Sequence, residues 1–126
     1  VEKERINKNK IEGDVTESVK TILFLWKDEK YSLLFDHGNQ KSRRTVSKED
    51  FERRMRKKGI RLASSWETIR DIQVDVRNVT LAYATVKIGL KPARGGETKF
   101  RTETYRMSFE KGMWKINLAK ILSAKI

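Results

Sequence analysis

The sequence predicts an α+β fold in which three helices pack on one side of a curved, four-stranded antiparallel sheet. Two observations carry this. Apolar residues recur with a helical period in the first half of the chain and with a period of two from about Thr68 onward. The alternating segments also have one apolar and one polar face, as strands covered on a single side do. A third observation bounds the size: 126 residues, 37% of them apolar, suffice for one core and leave no room for a second domain.

Residues 1–12 hold seven charged side chains and three isolated aliphatics, and read as a charged arm or helix lead-in to a single domain spanning 13–126. Asp14 with Glu17 resembles a capping box, after which Val15, Val19, Ile22, Leu23 and Trp26 form the stripe of a first helix. Tyr31, Leu34 and Phe35 make a short second helix that Gly38 and Asn39 stop. Ser47 is placed to cap a third, with Val46 stapled onto Phe51, Met55 on its buried side and Gly59 at its end.

Ile72, Val74 and Val76 then alternate with polar residues, as do Ala82, Ala84, Val86, Ile88 and Leu90 after a turn at Asn78, giving a hairpin. The Asn78-Val79-Thr80 sequon is explained by that turn, and Arg94-Gly95-Gly96 by the next loop. A third strand has Tyr105, Met107 and Phe109 inward. Beyond Gly112, a fourth has Trp114, Ile116 and Leu118 inward and Lys115 and Asn117 outward.

The 29 Lys and Arg outnumber the 17 Asp and Glu, for a net charge of +12, and there is one His and no Cys. That removes disulfides, thiolate zinc sites, a cysteine nucleophile and any multi-histidine metal centre; no cofactor is implied. The longest apolar run, Ile22 to Trp26, is far below the ~18 residues of a membrane span. A first residue of Val suits a chain whose leader has been removed, which would place it outside the cytoplasm, or a trimmed segment.

Positive charge concentrates in Lys41–Arg61, where ten Lys and Arg meet three acids. Arg43, Arg44, Arg53, Arg54, Lys57 and Lys58 are the candidate contacts to nucleic acid or an anionic membrane or cell-wall surface. A solvated helix face with acids at its head and bases at its tail explains the same residues through the helix dipole. Asp36-His37 is the one acid–histidine pair, but neighbours on a helix point apart, so a general acid–base dyad is not expected.

The order of three helices followed by long antiparallel strands resembles the nuclear transport factor 2-like superfamily, a cone-shaped α+β roll. The likeness is carried by Val19 to Phe35, by Ile69 to Lys91 and by the closing segment Met107-Ser108-Phe109-Glu110-Lys111-Gly112-Met113-Trp114-Lys115-Ile116. The resemblance implies a cleft between helices and sheet. Catalytic members place carboxylate bases there, which this chain lacks around Asp36, so the implied function is non-catalytic binding of a small apolar or amphipathic ligand, or of a protein. Phe35, Phe51, Trp66, Tyr105 and Met107 are the expected lining, with Tyr31 and His37 as polar contacts. A homodimer through Tyr83, Thr85, Lys87 and Arg106 on the far sheet face is the other implied association.

Overall fold

The computed structural model describes residues 2–63 and 72–124, with side chains from residue 8 onward. Helix α1 runs Glu2–Lys27, and α2 (Tyr31–Asp36), α3 (Gln40–Thr45) and α4 (Lys48–Lys57) follow. Strands β1 (Ile60–Leu62), β2 (Gln73–Asn78), β3 (Leu81–Pro92), β4 (Lys99–Glu110) and β5 (Met113–Ile116) precede α5 (Leu118–Leu122). The architecture is α+β with a curled antiparallel sheet.

Helix α1 starts well before Asp14, so Asp14 and Glu17 are not its cap. Residues 2–12 are mostly Glu, Lys and Arg, which lose little rotamer freedom in a helix, and the ~1 kcal/mol cost of an interior Gly13 does not stop it. The expected stripe is the buried one: Val15, Val19, Ile22, Leu23 and Trp26 are at most 2% exposed. Ser47 caps α4 by accepting from the Asp50 N–H at 3.1 Å, and Gly59 takes φ +64 just past its end.

Among the described residues four helices precede the sheet, not three, and one follows it. Helix α3 was hidden because Gln40–Thr45 has no apolar period; Asn39 starts it by accepting from the Ser42 N–H at 2.8 Å. Among the described residues the sheet has five strands rather than four. β1 and β2 share one edge of β3, β1 along its end (Leu62 opposite Leu90) and β2 along its beginning (Gln73 opposite Thr85). β4 lines the other edge, followed by β5.

The closing segment also differs from expectation. Asn117 is the N-cap of α5 rather than an outward strand residue, and the buried Leu118 belongs to that helix. Phe109, expected inside, is 41% exposed and packs its ring on Trp114 at the tip of the β4–β5 hairpin. Lys115 does face outward, yet it is 9% exposed, because residues 36–38 cross over it and its Nζ donates to the Asp36 carbonyl at 2.7 Å.

That crossing closes the β5 edge. Ile116 N–H donates to the His37 carbonyl at 2.9 Å, and Asn39 N–H donates to the Ile116 carbonyl at 2.8 Å, a short parallel bridge centred on Gly38. Gly38 is required by the close approach: a Cβ there would lie 2.4 Å from Leu118 Cδ1. The edge that strands usually leave open to other chains is thereby covered at Ile116.

Candidate functional site

Helix and sheet meet in one apolar cluster, and most of the expected cleft residues are inside it. Phe51 and Met107 are fully buried, Tyr31 and Tyr105 are 2% exposed, and Phe35 packs on Phe51 with ring centres 5.8 Å apart. Burial raises both tyrosines above their ordinary value, further for Tyr105, so neither phenol supplies a base near neutral pH. Trp66 lies outside the described residues.

Asp36 and His37 do not form a dyad. The Asp36 carboxylate is exposed and pairs with Lys48 Nζ at 3.0 Å, while His37 is half-buried and its Nδ1 has no hydrogen-bond partner. Burial first, and then Lys115, hold the imidazole below its usual 6.5, against an opposing pull from Asp36. The unfolded chain therefore takes up this proton before the native one, so His37 costs stability as pH falls below about 6.5. Urea midpoints compared at about pH 7.5 and about pH 5 should drop less in His37→Gln than in the parent; equal drops would mean that His37 does not contribute.

The basic segment is largely engaged in structure. Asp50 pairs with both Arg53 and Arg54, Lys58 Nζ donates to the Ala124 carbonyl at 2.8 Å, and Arg43 is half-buried with its Nε enclosed. Arg54, Lys57 and Lys58 do converge, around Leu122, on a depression of about 290 Å³. Arg44 is exposed on α3 and does not line that depression.

A different surface combines charge with aromatic rings. On the sheet face turned away from the core, Tyr83 lies opposite Asp75 on one side and Arg106 on the other, and Phe100 lies opposite Gly89. Phe100 is 47% exposed and rests over the glycine, where a Cβ would come within 3.0 Å of its ring. Each ring carries a cation: the Arg77 guanidinium is 5.5 Å from the Tyr83 ring centre, and Lys87 Nζ is 5.4 Å from that of Phe100. Between them run Thr85 and Thr104, whose hydroxyls meet at 3.0 Å. A shallow trough of about 530 Å³ lies along the Tyr83 end.

Tyr83, Thr85, Lys87 and Arg106 are thus on one face, as the alternation requires. Phe100 lies outside the sequence expectation, which begins the third strand near Tyr105; the strand starts at Lys99, and its alternation places Phe100 on the same side as Arg106. Among the described residues no cluster of His, Asp and Glu is arranged to hold a metal ion, and no helix is long and apolar enough to cross a membrane. No known family model matches the chain, and no curated protein matches it.

Proposed function

We propose that the chain is a non-catalytic module, built as a roll of the nuclear transport factor 2-like kind, that binds single-stranded nucleic acid across the outer face of its sheet. The observation that carries it is the pairing of two accessible rings, Tyr83 and Phe100, with Arg77, Lys87 and Arg106 on one face. The rings are offset by six positions along the β3–β4 ladder, about 20 Å at a strand rise of ~3.4 Å, a span of several nucleotides. Stacking of a base on an aromatic ring contributes ~1–3 kcal/mol, whereas an exposed cation–π contact contributes ~0.5–1, so a base can displace or share the cation over each ring.

Charge argues for this occupant over a second copy of the chain. Each copy carries +12, and with Arg77 already paired to Asp75 a face-to-face dimer would bring Lys87 and Arg106 against their own kind. Duplexes fit less well, because their bases are already stacked and a broad sheet face does not enter a groove. The small-ligand alternative receives less support, since Phe51 and Met107 are packed on their neighbours.

Fluorescence anisotropy of a labelled single-stranded oligonucleotide tests the proposal. Arg77 is paired with Asp75 at 3.1 Å, so Lys87 and Arg106 supply two phosphate contacts; these imply a log–log salt slope of about −1.4, and affinity should fall about 7-fold between about 50 and about 200 mM salt. Absence of binding at the lower salt would overturn it, as would equal affinity for a blunt duplex, binding to anionic vesicles alone, or self-association that buries the face.

A further inference from the structure

A second concave site lies where α3, the end of β4 and the start of α5 meet, and it does not depend on the sheet-face rings. It is a cavity of about 380 Å³, within the size range of small-molecule sites. Two cations line it, Lys41 from α3 and Arg106 from β4. Both are exposed, and among the described residues neither has an ion pair or a side-chain hydrogen bond.

The other polar groups are already sorted into donors and acceptors. Asn39 and Asn117 spend their side-chain oxygens on the backbone, accepting from Ser42 N–H at 2.8 Å and Ala119 N–H at 3.0 Å. That leaves both carboxamide N–H₂ groups available as donors. Glu110 is the one acid in the lining, and each of its oxygens accepts one hydrogen bond from the protein, from the Gln40 N–H at 2.8 Å and the Ser108 hydroxyl at 3.0 Å. The Ser42, Thr45 and Ser108 hydroxyls spend their protons within the lining, so the uncommitted donors of the cavity are a guanidinium fork, an ammonium and two amide groups, set against the single carboxylate of Glu110. The helices α3 and α5 are too short to add a useful dipole, and the side chains alone carry the inference.

We infer that this cavity binds the phosphate group of a small phosphomonoester, with Arg106 and Lys41 on the phosphate oxygens and Asn39 and Asn117 completing their hydrogen bonds. A guanidinium matches a tetrahedral oxyanion with two parallel N–H···O bonds, and four donor groups exceed what the two oxygens of a carboxylate occupy well. The volume is several times that of a bare phosphate, so the cavity also has room for the body that carries it.

Amide-resolved NMR titrations with inorganic phosphate, adenosine 5′-monophosphate, adenosine and citrate test this. Phosphate and the monophosphate should shift residues 39–42, 106–110 and 117–119 saturably, the monophosphate at lower concentration, and adenosine should not. Lys41→Glu, an exposed change with little reach into the core, should weaken both at least tenfold, whereas the charge-matched Lys30→Glu at the α1–α2 turn should not. Binding by inorganic phosphate but not by the monophosphate would overturn the assignment to a phosphomonoester. The inference fails if the shifts lie elsewhere, if Lys41→Glu and Lys30→Glu behave alike, or if citrate binds more tightly than phosphate. Arg106 belongs to both surfaces, so Lys41→Glu, at a residue that lines the cavity and is not among the sheet-face contacts, is the arm that separates this outcome from strand binding across the sheet.

Discussion

Replacing Phe51 with alanine is expected to destabilise the domain by about 3–5 kcal/mol, the range for emptying a fully buried aromatic site. Phe51 is the point where α4 is fastened: it is fully buried, its ring meets Phe35 of α2 at 5.8 Å, and α4 is otherwise a strongly charged helix with only Met55 as a second buried residue. Small domains have total stabilities of about 5–15 kcal/mol, so the loss is a large fraction of the whole. Urea unfolding should show a sharply lowered midpoint with little change in slope. Phe109→Ala is the comparison, because that ring is 41% exposed and touches Trp114 at a hairpin tip; its cost should be about 1 kcal/mol or less. Similar losses for the two would show that Phe51 is not a core anchor, and would reopen it as the lining of a ligand cleft.

The second large effect concerns binding. Tyr83→Ala with Phe100→Ala should remove ~2–6 kcal/mol of single-strand affinity, that is, about 30-fold or more, since each stacked base contributes ~1–3 kcal/mol. The salt slope should stay near that of the parent, because Arg77, Lys87 and Arg106 are retained. Anisotropy at a fixed low salt gives the first quantity and a salt series the second. Unchanged affinity would mean that the rings only cover Gly89 and the Thr85–Thr104 pair. A changed slope with unchanged affinity would place the strand elsewhere.

The helical stripe of α1, the α4 cap and the alternation of β3 and β4 were legible because each rests on local spacing that burial enforces. Three elements were not. Helix α3 has buried Ser42 but no apolar repeat, β1 is three residues long, and α5 continues an alternating pattern across Asn117, where a cap and a strand position look alike in sequence. The candidate sites divide in the same way. Tyr83, Lys87 and Arg106 follow from counting along strands. Lys41 meets Arg106 only through the chain crossing at residues 36–39, which no local pattern announces. The charge of Lys41–Arg61 was conspicuous in sequence, yet Asp50 and the Ala124 carbonyl absorb part of it, so the densest run of bases is not the surface best equipped to read an anion.

The bridge at Gly38 sets an order of events. Its partner, Ile116, lies 78 positions further on (116 − 38), so the hydrogen bonds that shield β5 close one of the longest loops in the chain. Loop closure over such a span is entropically costly and slow compared with zipping the β3–β4 hairpin, whose strands are joined by a short turn. During synthesis the helices and that hairpin emerge and pair first, and the sheet keeps a bare flank until β5 is made. Once β5 has paired, its own outer edge is the next one open to a neighbouring nascent chain, and Gly38 is what allows residues 36–39 to take it at Ile116.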